Sequence, residues 1–298
     1  MSVSSDIKGH SRRSDGHNAR ERLLAGTPVK ERRLDLAGVS TAVLEGGEGP
    51  PVVLLHGQGG FAAQWMPVIP DLARTHHVIA PDLPGLGASE VSGGSPDTDL
   101  VLMWLGELIE RTCAAPPALV GHSLGGAIGA RFAITDEDRL SRLVLVDAGS
   151  LGRFRPALRV LLALIRFMVR PGERTLHRLL RQMSVDPEGV RRRMGERWEP
   201  FEAYMVDRAS TPSVRAANRR LLRELGTREI PPEDLARIGV PTTLIWGRHD
   251  RVMRLRIAEA ANIRYGWPLH VIEDAGHISF VDQPEAVLRA LNAAIAAM

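Results

Sequence analysis

Short apolar runs recur along the chain at 51–55, 77–81, 118–120, 140–146, 240–246 and 269–272. They have the length of strands, and the clearest of them, 51–55, is apolar at every position. Such runs predict strands covered on both faces. Upstream, 33–36 and 40–44 alternate about Ala37-Gly38, which predicts a hairpin. Helical patterns lie between and after these runs. One covers 97–112, opening near Asp97 and Asp99 and stopping before Pro116-Pro117; another covers 126–132; a third closes the chain at 284–298. Strands alternating with helices predict an α/β fold with a mostly parallel sheet and helices on both faces.

The pattern changes at Leu151. Residues 151–237 show helical periodicity and little strand signal, with helices expected at 153–170, 173–183, 188–197, 200–209 and 213–225. This reads as a helical lid inserted over the C-terminal edge of the sheet. The core then comprises 21–150 and 238–298. Residues 1–20 are rich in Ser, Arg, His and Gly and read as a disordered tail, with a short helix expected at 21–25. His10 and His17 have no further ligand at usable spacing, so no metal site is expected there.

Composition narrows the class. A chain of 298 residues, 44% hydrophobic, suits one large domain carrying an insertion. Its single cysteine, Cys113, excludes an intramolecular disulfide and fits a reducing compartment. No N-terminal apolar segment marks a signal peptide, and no run is long enough to span a bilayer; a cytoplasmic protein is expected. The net charge of +3 is unevenly placed: 151–237 holds 19 Arg and no Lys against 11 acids. Arginines spread round helices without interleaved aromatics read as a solvated face, so no nucleic-acid partner is expected.

Candidate chemistry centres on Gly121-His122-Ser123-Leu124-Gly125, between an apolar run and a helix. This is the G-x-S-x-G nucleophile elbow in its strand–turn–helix context. Gly121 and Gly125 fall where strand and helix nearly touch and a β-carbon would clash. The helix N-terminus behind Ser123 offers N–H groups and a positive dipole to a developing oxyanion. An oxyanion needs two donors from different segments. Leu124 supplies one. The glycine-rich loop His56-Gly57-Gln58-Gly59-Gly60, after a neighbouring strand, supplies the other at Gln58. Neither phosphate-loop pattern is present there.

A serine hydroxyl needs a base, and that base needs a carboxylate to fix its tautomer. Asp250, in Gly247-Arg248-His249-Asp250, and His277, in Asp274-Ala275-Gly276-His277, both follow strands. The order Ser, Asp, His is that of this elbow type. Strand ends of an open α/β sheet share one crevice, so Ser123, Asp250 and His277 are expected to meet. Asp147 also closes a strand and is the rival carboxylate. His122 and His249 are expected to point away from the site, His56 and His270 to be structural, and Asp82 to hold a turn.

These motifs, with Val52-Val53-Leu54-Leu55-His56-Gly57, Pro81-Asp82-Leu83-Pro84-Gly85, Trp246-Gly247-Arg248-His249-Asp250 and Gln283-Pro284-Glu285, resemble the α/β-hydrolase fold superfamily across residues 32–298. The resemblance implies a mainly parallel eight-stranded sheet with a helical lid. Dehalogenases and epoxide hydrolases of that superfamily use aspartate at the elbow, and Ser123 argues against both. Ile278 stands where meta-cleavage product hydrolases often carry an aromatic. The reading is a serine hydrolase that acts, without cofactor or metal, on an ester-type or related acyl bond of a small, mostly hydrophobic molecule. Carbon–carbon hydrolysis and acyl transfer on the same residues are the alternatives. A receptor-like protein that keeps the pocket is the non-enzyme alternative.

Overall fold

The computed structural model describes residues 16–296. Strands β1 (Lys30–Leu36) and β2 (Val39–Gly46) form the hairpin, paired from Leu36 with Val39 to Lys30 with Glu45. Ala37 and Gly38 turn the chain with φ of 47° and 76°. Both central residues of such a turn must take positive φ to match the twist of the strands. β1 is the sheet edge and carries Lys30, Arg32 and Arg33 on an exposed strand, which discourages pairing with another chain.

The remaining strands are β3 (Pro51–Leu55), β4 (His77–Pro81), β5 (Glu90–Val91), β6 (Ala118–His122), β7 (Arg142–Val146), β8 (Thr242–Gly247) and β9 (Leu269–Ile272). Their order is β1-β2-β4-β3-β6-β7-β8-β9, with β5 paired to β2. Every pairing from β4 to β9 is parallel. The main path thus has the eight strands the resemblance implied. The ninth, β5, is two residues long after a glycine-containing turn and leaves no periodic trace in the sequence.

The apolar runs are explained by burial on both sides. Val53 and Leu55 of β3 face one core layer, with Trp104 and Ile128, while Val52 and Leu54 face the other, with Trp65 and Leu291. β7 divides in the same way, Leu143 and Leu145 against Val144 and Val146. With water on neither face, no alternation survives. Helix α2 (Thr98–Thr112) starts where Asp97 accepts the Leu100 N–H at 3.0 Å, a side-chain N-cap. Helix α3 (Leu124–Thr135) follows β6 directly, and α9 (Arg256–Tyr265) and α10 (Pro284–Ala296) flank the last strands.

Between β7 and β8 lie α4 (Leu158–Val169), α5 (Glu173–Met183), α6 (Pro187–Met194), α7 (Trp198–Ser210) and α8 (Pro212–Leu221). The expected helices of 151–237 correspond to these within a few residues at most ends. Among the described residues no helix is long and apolar enough to cross a membrane.

The expected tail needs correction at its end. Residues 1–15, with His10, lie outside the described residues; residues 16–24 form helix α1, in which Ala19 and Leu23 are buried one turn apart. Arg20, at the end of the expected tail, is 5% exposed. Its guanidinium pairs with Asp82 at 2.9 Å and Glu31 at 2.6 Å and donates to the Tyr204 hydroxyl at 3.0 Å. Burial opposes the Arg20 charge, but Asp82, Tyr204 and Glu31 outweigh it and raise its pKa. Asp82 itself takes N–H donors from Ala62 and Ala88, the turn-holding role expected of it. Arg20 therefore ties α1, the 82–88 turn and α7 together. Arg20→Met leaves the fully buried Asp82 carboxylate without its cation. It should lower the free energy of unfolding by about 3–5 kcal/mol, the cost of breaking a buried pair from one side. Urea denaturation checks this, and a loss under about 1 kcal/mol would show that the cluster is dispensable.

Candidate active site

The parallel registers bring the strand ends to one edge. Leu55 pairs with Gly121, His122 with Val146, Val146 with Ile245 and Gly247 with Ile272. The loops after β3, β6, β8 and β9 therefore open into one crevice, and they carry Gln58, Ser123, Asp250 and His277.

Ser123 sits at φ 50° and ψ −111°, a strained setting for a residue with a side chain. Close packing enforces it. A β-carbon on Gly121 would lie 2.4 Å from the Gly125 carbonyl oxygen, and one on Gly125 would lie 2.4 Å from the Leu55 carbonyl oxygen. Both contacts are impossible for a larger residue, so strand, turn and helix approach as the elbow requires. Ser123 N–H donates to Val146 O at 3.0 Å, anchoring the turn to β7.

Ser123 Oγ is 3.0 Å from His277 Nε2, and His277 Nδ1 is 2.8 Å from Asp250 Oδ2. The second Asp250 oxygen accepts from Val252 N–H at 2.7 Å and Met253 N–H at 2.9 Å, which fixes the carboxylate plane. With Nδ1–H donated to Asp250, Nε2 presents its lone pair to the serine hydroxyl. Burial works against a charged His277, but the Asp250 carboxylate and its hydrogen bond outweigh it and raise the imidazole above its ordinary value. The arrangement can take a proton from Ser123 and hold it as a stabilised imidazolium. Leu124 N–H lies at the N-terminus of α3, and Gln58 and Leu124 line the same cavity as Ser123 and His277.

Asp147 is placed differently. It is fully buried with φ 45°; one oxygen accepts from Gly247 N–H at 2.8 Å and the other from Ser279 Oγ–H at 2.6 Å. Burial and then the nearby Asp250 push its carboxyl well above the usual carboxylate range. It holds the ends of β8 and of the His277 loop in register and makes no hydrogen bond to the His277 ring.

His249 is exposed. His56 bridges its own loop to the next, with Nδ1 2.8 Å from Gly57 O and Nε2 accepting Leu83 N–H at 2.9 Å. His122 departs from expectation. Its ring packs on His277 at 5.0 Å, and Nε2 donates to the His277 carbonyl at 2.8 Å. The bare Gly57 makes the room, since a β-carbon there would stand 2.7 Å from His122 Nδ1. Burial, then His277, lowers the His122 pKa well below its ordinary value, so it is a neutral strut. The Met183 carbonyl, which accepts His277 N–H at 2.7 Å from the end of α5, was also invisible in the sequence. It joins residues far apart in the chain through backbone alone.

The crevice is a cavity of about 570 Å³. Its lining is mostly apolar and comes largely from 151–237, including Leu164, Phe167, Met168, Leu176, Leu179 and Phe201. That volume suits a small organic molecule enclosed on most sides.

Comparison with known proteins agrees with this picture. The alpha/beta hydrolase family matches residues 52–290. The chain is 29% identical to a 2-hydroxy-6-oxo-6-(2'-aminophenyl)hexa-2,4-dienoic acid hydrolase of Metapseudomonas resinovorans, over 86% of this chain and 87% of that one. It is 26% identical to a pimeloyl-[acyl-carrier protein] methyl ester esterase of Aeromonas hydrophila, over 85% and 98%. Among solved structures, the 2-hydroxy-6-oxo-6-phenylhexa-2,4-dienoate hydrolase of Rhodococcus sp. superposes with a TM-score of 0.78 at 25% identity, over 90% of this chain and 99% of that one.

Proposed function

The chain belongs to the alpha/beta hydrolase family, and from that premise we propose a serine hydrolase that cuts the ester bond of a small, mostly hydrophobic molecule through an acyl-enzyme. The hydrogen-bonded series Ser123–His277–Asp250 carries the reading. Ser123 Oγ attacks the acyl carbonyl carbon while its proton passes to His277 Nε2. Asp250 holds the imidazolium that forms. The N–H groups of Gln58 and Leu124 receive the oxyanion. His277 then gives the proton to the departing alcohol oxygen, and a water molecule deprotonated by His277 releases the acid from Ser123. Residues 151–237 act as the lid, supplying the apolar wall that excludes other water.

The mostly apolar cavity lining supports a preference for hydrophobic acyl chains. Burying each methylene is worth about 0.8 kcal/mol, so kcat/KM should rise a few fold per added carbon until the cavity is filled. The test follows fluorophosphonate labelling of Ser123 with a series of esters whose acyl chains run from about two to eight carbons. A steady fall of kcat/KM along that series would overturn the hydrophobic-pocket reading.

One observation favours a second reading. Arg215 and Arg219 line the cavity, and among the described residues neither pairs with a carboxylate. Carbon–carbon hydrolysis of an anionic substrate would use these cations, and the Metapseudomonas and Rhodococcus relatives are named as hydrolases of dienoic acids. Matched neutral and carboxylate-bearing substrates separate the two. A tenfold advantage for the charged members, lost at high salt, would select the anionic substrate.

A further inference from the structure

Helix α4 presents an apolar stripe to solvent. Leu158, Leu162, Ile165 and Val169 are 69%, 40%, 47% and 61% exposed. Their spacing is i, i+4, i+7, i+11, so they lie on one strip of the helix within about 60°. The opposite face, with Val160, Ala163 and Phe167, is buried against the protein. A soluble chain gains nothing from four large aliphatic side chains held together in water, and such a patch marks an interaction surface.

Charge identifies the occupant. Arg159, Arg166 and Arg170 are exposed and run along one flank of the stripe, about 80–120° round the helix from Leu158. Arg153 and Arg155 precede it, and no acid occurs anywhere from 151 to 172. A second copy laid antiparallel on the stripe would bring arginines against arginines, and in either direction its own α4 offers them no acid. An amphipathic helix with an apolar stripe and a cationic flank lies flat in the headgroup region of an anionic bilayer. At about 1.5 Å per residue, the 12 residues of α4 give a contact about 18 Å long.

The geometry points to α4 as the docking surface of this protein for an anionic phospholipid bilayer. Ile165 and Val169 belong both to the stripe and to the cavity lining. The docked helix thus sets the rim of the cavity at the depth of the acyl chains, and a hydrophobic substrate passes from bilayer to cavity without crossing water. Docking itself does not depend on the hydrolytic reading of Ser123.

The test uses full-length Ser123→Ala protein, so that hydrolysis does not alter the lipid. It is sedimented with vesicles of equal parts phosphatidylglycerol and phosphatidylcholine, and with vesicles of phosphatidylcholine alone. Binding should be at least about tenfold tighter to the anionic vesicles and weaken at high salt. Leu158→Asp/Leu162→Asp, neither of which lines the cavity, and Arg159→Gln/Arg166→Gln/Arg170→Gln should each lower binding by about tenfold or more. Circular dichroism and turnover of a soluble ester by the same substitutions on a Ser123 background check folding. No binding, binding indifferent to phosphatidylglycerol, or variants that bind like the parent would overturn the inference. So would a dimer without lipid that Leu158→Asp/Leu162→Asp dissolves, since the stripe would then be an interface between copies. Vesicle binding with no ester turnover would sink the hydrolase reading and leave the docking surface standing.

Discussion

Ser123→Ala should lower kcat by about 10⁴-fold or more while the protein stays folded. The magnitude follows from what the hydroxyl does. Without Oγ no acyl-enzyme forms, and any residual turnover comes from water placed beside the oxyanion donors. The fold should not suffer, because the side chain contributes little packing: Ser123 is only partly buried, and its Oγ bonds within the described residues to His277 alone. Alanine also relieves none of the backbone strain, since φ 50° is as awkward for alanine as for serine. Mass spectrometry after fluorophosphonate treatment gives an independent readout, with one adduct on the parent and none on the variant. Retained esterase activity in purified Ser123→Ala would sink the covalent mechanism.

The elbow was legible because its chemistry is local. Gly121, Ser123 and Gly125 stand at fixed spacing between strand and helix, and the clashes at the two glycines show why nothing larger fits. The central strands were legible because burial on both faces removes alternation. What stayed hidden depends on contacts between distant segments. Arg20 has the composition of a tail, and only Asp82, Glu31 and Tyr204, gathered from three other segments, turn it into a buried cation. His122 was expected to face away, yet the space left by Gly57 lets its ring lie on His277. Which of the apolar residues of 158–169 would line the pocket was also not legible. The helix divides them: Leu164, Ile165 and Met168 reach the cavity, Val160 joins the core and Leu161 faces solvent. Periodicity reveals that a helix is amphipathic, but the angle at which it docks decides which apolar face goes inside.

The choice of carboxylate yields the second large effect. Asp250→Asn should lower kcat by about 10⁴-fold, whereas Asp147→Asn should change it by no more than about tenfold. Asparagine at 250 can keep the Val252 and Met253 N–H donors on one oxygen, but it then turns an NH₂ toward His277 Nδ1. The imidazole must accept there, its proton moves to Nε2, and the lone pair that Ser123 needs is gone. Asparagine at 147 can still accept Gly247 N–H, and its NH₂ can donate to Ser279 Oγ, so both loop anchors survive. The pH profile adds a second sign. His277 is active as base only when neutral, and Asp250 holds its pKa above the ordinary value. In the parent, kcat/KM should therefore climb with pH through a midpoint above about 6.5 and level off beyond it. In Asp250→Asn the carboxylate attraction is lost and burial remains, so whatever activity persists should show its midpoint shifted to lower pH. In Asp147→Asn the midpoint should stay near the parent's, because Asp147 makes no hydrogen bond to the ring and acts on His277 more weakly than Asp250 does. If Asp147→Asn instead gave the large loss and the shifted midpoint, Asp147 would be the carboxylate that orients His277, and Asp250 would be the loop anchor.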